Sequence, residues 1–182
     1  KKNDVVADFC AGSGIVGLHF LCLNPHIKSV TLYEMQPALS DMSARTIACN
    51  GFGCASAVCS RVQDIGAECN GRFSLVLCNP PYERGGFESL TYEKAVCRKE
   101  ITVTLAEILD VAARTLKFGG RLAIINRADR TAELIYGMKS RGLEPKRMQY
   151  VCGTRGGKPY LVMVEGCKGG REGVEVLPFA IN

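Results

Sequence analysis

Tryptophan is absent from the 182 residues, and histidine occurs only twice, as His19 and His26. None of the ten cysteines stands in a C-x-x-C pair, and with so few histidines the ligand spacing of a zinc site is missing, so no metal is expected. Cys49, Cys54 and Cys59 are evenly spaced, but they fall at a helix end, in a loop and in a strand, which makes a poor cage. No apolar run approaches the length that crosses a membrane, and the opening Lys1-Lys2-Asn3-Asp4 has no apolar stretch of the kind a signal peptide carries. Repeats, low-complexity tracts and linker-like stretches are also missing, so one domain over residues 1–182 is expected.

The composition that remains, 47% hydrophobic and 23% charged, is that of a globular chain. Cys10, Cys22 and Cys78 sit at apolar strand or helix positions and read as small buried hydrophobes. So many unpaired thiols point to a reducing, cytoplasmic environment. The net charge of +5 is unevenly placed. Between Gly137 and Asn182, Lys139, Arg141, Lys146, Arg147, Arg155, Lys158, Lys168 and Arg171 face only Glu144, Glu165, Glu172 and Glu175. Such an excess is either a solvated basic face or the footprint of a polyanionic partner.

Strand and helix signals alternate along the chain. Val5–Phe9, Ser29–Glu34, Cys54–Ser60, Phe73–Cys78, Arg121–Asn126, Lys146–Val151 and Tyr160–Glu165 read as strands. Helices are expected over Ile15–Leu23, Pro37–Cys49, Glu100–Leu116 and Thr131–Arg141. Asn24-Pro25, Asn50-Gly51, Gly119-Gly120 and Gly142 stop them in turn. In the third helix Ile101, Leu105, Ile108, Leu109, Ala112 and Leu116 form one apolar stripe. The link Gly153–Pro159 holds no helix, so the last two strands are expected to be antiparallel neighbours. The pattern predicts an α/β fold of Rossmann-like kind: a seven-stranded, mostly parallel sheet with an antiparallel last strand and helices on both faces.

Two stretches carry chemistry. Gly12-Ser13-Gly14-Ile15-Val16-Gly17 fits G-x-G-x-x-G between a strand and a helix, and the acidic Glu34 closes the next strand. Alone, this suits a nicotinamide dinucleotide as well as any other nucleotide cofactor. No P-loop lysine follows the glycines, which argues against nucleotide hydrolysis. Asp8, just before the turn, would face a pyrophosphate with a carboxylate and is better matched to a cationic amine. The second stretch is Asn79-Pro80-Pro81-Tyr82, directly after the fourth strand. Tandem prolines cannot extend a ladder, and their carbonyls stay free to accept hydrogen bonds. Asn79 and the Pro80 carbonyl suit the two hydrogens of a planar NH2 group, with Tyr82 stacked on its plane. S-adenosyl-L-methionine satisfies the first stretch: an ammonium for Asp8, a close backbone approach at the glycines, and two ribose hydroxyls for Glu34. Asp64, after the third strand, is placed for its adenine amino group.

These motifs, Asp8 to Leu18, Glu34 and Asn-Pro-Pro-Tyr, resemble the class I, Rossmann-like methyltransferases that act on exocyclic or amide nitrogens. Arg98-Lys99-Glu100, Leu116–Arg127, Gly142–Arg147 and Val164–Gly170 extend the resemblance to the bacterial tRNA(Val) adenine-N6 methyltransferases. It implies a tRNA substrate methylated on adenine N6 beside the anticodon, with Asn79, Pro80 and Tyr82 catalytic. It also implies cofactor contacts from Asp8, Cys10, Gly12, Gly14, Glu34, Met35, Asp64 and Asn79. Ser74 and Lys99 depart from the family's usual Asp and His, at places expected to lie beside the site. The family carries a further N-terminal segment, and this sequence starts four residues before Val5, so a fragment is expected. A glutamine-N5 protein methyltransferase and a ribosomal RNA guanine-N2 methyltransferase offer the same NH2 to the same turn and stand as alternatives.

Overall fold

The chain opens with β1 (Val5–Phe9), which runs into α1 (Ile15–Leu23), β2 (Ser29–Glu34) and α2 (Pro37–Cys49). The computed structural model describes residues 3–81 and 103–182. β1 is the centre of the sheet, hydrogen-bonded in parallel to β2 on one side and to β4 (Phe73–Cys78) on the other. A strand with neighbours on both edges and helices over both faces has no solvent side, which is why Val6, Ala7, Asp8 and Phe9 are all buried. Pro37 opens α2, where a missing N–H costs nothing, and Gly51 takes φ 64° to end it.

The order across the sheet is β3 (Ala55–Cys59), β2, β1, β4, β5 (Leu116–Arg127), β7 (Pro159–Lys168) and β6 (Leu143–Cys152). Two short strands, β8 (Glu175–Val176) and β9 (Ala180–Ile181), pair in parallel with the outer edge of β6. The described sheet thus has nine strands where seven are expected from the sequence. The antiparallel strand is β7, inserted between β5 and β6 and antiparallel to both.

Apolar side chains alternate between the two faces. Phe9, Val76, Leu122 and Ile124 join α3 (Leu105–Thr115) and α4 (Thr131–Lys139) in one cluster. Val6, Leu32, Leu75 and Leu77 join Leu18 and Leu21 of α1 in the other. α3 starts later than the apolar stripe suggests. Thr104 caps it, its side chain accepting from the Glu107 N–H while the Glu107 carboxylate accepts from the Thr104 N–H at 2.7 Å. This reciprocal pair fixes the first turn, so Val103 and Thr104 stay outside the helix. The helix also stops before the glycines: Leu116 is extended and pairs with Phe73, and the chain bulges through Gly119 (φ 74°) before Arg121 pairs with Leu75.

Two smaller expectations are corrected. Cys22 is exposed on the outer side of α1, so it is no core hydrophobe. Ser74 lies at the amino end of β4, remote from the carboxyl-end turns, where its Oγ accepts from the Val5 N–H at 2.9 Å. Among the described residues no helix is long and apolar enough to cross a membrane.

Candidate functional site

The turn after β1 is built from left-handed residues. Cys10 (φ 57°), Gly12 (φ 57°) and Gly14 (φ 83°) all lie in that region. Cys10 has no glycine's freedom, so its conformation is locally strained and held by what surrounds it. The first two glycines of the motif have different duties. Gly12 faces open space and supplies only its backbone shape, whereas a Cβ on Gly14 would lie 2.8 Å from Leu32 Cδ1, so Gly14 seats α1 on β2. Gly17 is tighter still, with Leu32 Cδ2 at 2.5 Å and Asp8 Oδ2 at 2.9 Å from where its Cβ would be. That close approach lets the Gly17 N–H donate to Asp8 Oδ2 at 2.8 Å.

Glu34, at the end of β2, is held from two sides: Oε2 accepts from the Gly12 N–H and Oε1 from the Gln36 N–H, each at 2.8 Å. Each carboxylate oxygen keeps further acceptor capacity after one such bond. Asp8 is different. Burial pushes its carboxyl up to about 7, with the nearby Glu34 charge adding to the effect and the Gly17 N–H opposing it. A buried carboxylate with a carboxylate neighbour calls for a cation. Burial also pushes the Cys78 thiol well up, helped by its hydrogen bond with Cys10.

Asp8, Cys10, Gly12, Glu34, Met35 and Asn79 line one cavity of about 250 Å³ at the carboxyl ends of β1, β2 and β4. Ala11, Tyr33, Gln36, Val62, Gln63, Pro81 and Val103 complete much of its wall. Gly14 is buried behind it and Pro80 is buried beside it; neither lines it. Asp64 is exposed at the end of a short 3-10 turn, Val62–Asp64, and does not line the cavity; the residue before it, Gln63, does. Gln63 also donates to Glu107, which ties this wall to the cap of α3. Tyr82, with Arg98, Lys99 and Glu100, lies outside the described residues.

Asn79 is exposed immediately after β4, and it lines a second cavity of about 410 Å³ as well as the first. Val16 is likewise shared. Leu77, Ala123, Ile125 and Met163 give the second cavity an apolar wall, with Arg147 and Glu165 contributing charge. The Asn79 amide therefore stands where the two spaces meet. A cationic, hydroxyl-bearing ligand suits the first space, and a flat, largely apolar one suits the second.

The family model "Methyltransferase small domain" matches residues 1–141. A tRNA1(Val) (adenine(37)-N6)-methyltransferase of Dickeya chrysanthemi is 26% identical over 126 residues, covering 69% of this chain and 50% of that protein. Ribosomal RNA small subunit methyltransferase C of Serratia proteamaculans is 30% identical over 123 residues, covering 68% of this chain and 30% of that protein. The chain thus spans half the length of the first relative and less than a third of the second. Among solved structures, the crystal structure of a predicted O-methyltransferase from Agrobacterium tumefaciens superposes with a TM-score of 0.77 at 19% identity, over 98% of this chain and 80% of that one. That likeness is one of fold.

Proposed function

Since the chain belongs to the methyltransferase small domain family, we propose that it transfers a methyl group from S-adenosyl-L-methionine to the exocyclic N6 of an adenine in tRNA. The observation that carries this reading is the position of Asn79, which borders both the cavity holding Asp8 and Glu34 and the apolar cavity beside it. S-adenosyl-L-methionine, when bound, supplies a methyl group on a cationic sulfur. Asp8 fits the ammonium of its methionine portion, a cation for a buried carboxylate that has none beside it among the described residues. Glu34, pre-oriented by the Gly12 and Gln36 N–H groups, fits the ribose hydroxyls. Asp64, exposed and off the cavity wall, is less well placed for the adenine amino group than Gln63.

On the acceptor side, Asn79 and the Pro80 carbonyl accept the two N6 hydrogens. The N6 lone pair is delocalised into the ring and nucleophilically weak. Hydrogen bonds accepted from its two hydrogens oppose that delocalisation and strengthen as positive charge grows on nitrogen, so they act most in the transition state. Tyr82 takes the stacking role on the flipped base. No general base is needed before attack; the proton leaves after the methyl has arrived.

The same turn accommodates guanine N2, and the 30% identity to a protein named for ribosomal RNA methylation favours this as the second reading. Tritiated methyl transfer into unmodified tRNA, ribosomal RNA and a glutamine-bearing peptide, followed by analysis of the products, separates them. N6-methyladenosine supports the first reading, N2-methylguanosine the second, and N5-methylglutamine refutes both.

A further inference from the structure

Two residues beyond the apolar cavity, the carboxyl ends of β5 and β6 and the amino end of the antiparallel β7 form a third hollow of about 850 Å³. The strand registers place it: Ile125 and Met163, which line the apolar cavity, are paired, and two steps on Arg127 pairs with Leu161 at the hollow's edge. From β4, which ends just before Asn79, to β7 is two strand spacings, roughly 10 Å. The hollow therefore lies at the same end of the sheet as the acceptor side of the site, two residues further along the strands.

Its chemistry is cationic and aromatic. Lys158 lines it, and Arg155 lies in the adjoining link; both are exposed, and neither has an ion-pair partner among the described residues. Arg127 is held by Asp129, with the Arg127 Nη2 at 2.7 Å from Oδ2, which leaves three cations against one carboxylate. Tyr160 is 43% exposed, and its hydroxyl accepts from Asn182 Nδ2 at 2.9 Å, so its ring is anchored at the far end. Tyr150 lies beside it and packs edge-on against Phe179 at 6.0 Å. Two unneutralised cations beside an anchored, exposed ring, with a second ring half-buried next to it, suit a nucleic-acid strand whose bases are unpaired: phosphates meet the cations and a base stacks on the exposed ring. A duplex offers no free base faces to such a surface. A protein partner offers the exposed ring no base face to stack on.

We propose that this hollow binds unpaired RNA nucleotides flanking the acceptor adenine, with Lys158 and Arg155 meeting phosphates and Tyr160 stacking on a base. The proposal rests on the RNA reading above and adds the surface that would hold the strand while one base enters the site. An adenine must leave its stack to reach Asn79, so its neighbours need a separate platform.

The test is fluorescence anisotropy of the protein with a short labelled single-stranded RNA, and with the same sequence in a duplex, across a salt series. The variants are R155E with K158E, Y160A and Y160F. The double charge reversal should weaken single-strand binding at least tenfold and lower the salt slope by about 1.4, the value for two phosphate contacts on a single strand. Y160A should weaken it by a further tenfold or so, Y160F should bind as the parent does, and S-adenosyl-L-methionine affinity should stay unchanged in all three. A parent that methylates RNA, with variants that bind it equally well, overturns the hollow and leaves the proposed activity standing. A parent that methylates no RNA but binds it, with variants that lose binding, overturns the proposed activity and keeps the hollow. A parent that binds no single strand, or prefers the duplex, or variants that lose a peptide substrate instead, overturn the hollow.

Discussion

The Gly17 N–H reaches Asp8 Oδ2 at 2.8 Å, and a methyl on Gly17 would lie 2.9 Å from that same oxygen and 2.5 Å from Leu32 Cδ2. The third glycine of the motif is thus a spacing device between helix and strand. Gly17→Ala should cost about 1–3 kcal/mol of stability through overpacking, and it should weaken cofactor binding by displacing Asp8. Denaturant titration and calorimetry with S-adenosyl-L-methionine read the two effects. Unchanged stability would mean that α1 shifts freely on the sheet.

Asp8 makes stability fall as pH rises. Its carboxyl is raised to about 7 by burial, so the folded state holds a proton that the unfolded chain gives up near 3.8. The stabilisation is complete below about pH 4 and is lost as pH rises through 7. At 1.36 kcal/mol per unit the loss is up to roughly 4 kcal/mol. Asp8→Asn should flatten this slope in denaturation measured from acid to mild base, while abolishing the ammonium contact. For the parent, cofactor affinity should climb with pH and level off above about 7, since the ligand's cation needs the ionised carboxylate. A flat profile would place the ammonium elsewhere.

On the proposed mechanism, Asn79→Ala removes one acceptor that acts mainly in the transition state. Turnover should drop by about a hundredfold or more, with S-adenosyl-L-methionine affinity little changed. Single-turnover methyl transfer and calorimetry check it. Equal losses in both would make Asn79 a structural residue.

Thr104→Ala breaks a reciprocal cap and should cost about 1 kcal/mol. It also frees Glu107, the carboxylate that accepts from Gln63 on the cavity wall. A modest loss of cofactor affinity should therefore accompany the loss in thermal stability. Thr104→Ser should restore both.

Much of this architecture is legible because single residues punctuate it. Pro37 and Asn50-Gly51 mark both ends of α2, and the glycine-rich link before Pro159 leaves only a hairpin between β6 and β7. The insertion of β7 beside β5 is not legible, since Arg121 to Arg127 meet partners some forty residues distant that local patterning does not record. β8 and β9 have two residues each, too few to show a period. At the site, Asp8, Glu34 and Asn79 converge as the motifs imply. Asp64 misses the cavity by one position, because a 3-10 turn presents Gln63 instead, and spacing alone does not distinguish adjacent residues. The cap of α3 was readable: Thr104 and Glu107 have the T-x-x-E spacing, and only the strength of the upstream apolar stripe masks it.

The place of β7 also sets an order of events at synthesis. β6 leaves the ribosome before β7, yet it cannot join the growing sheet directly, because the place beside β5 belongs to a strand not yet made and β6 pairs with that strand. Until Pro159–Lys168 emerges, β5 presents a bare edge of unpaired backbone groups, and Leu143–Cys152 has no template. Both edges are satisfied at once when the hairpin forms and docks. The nascent chain is therefore most exposed to wrong strand pairing while the stretch that separates Arg127 from Lys168 is being made.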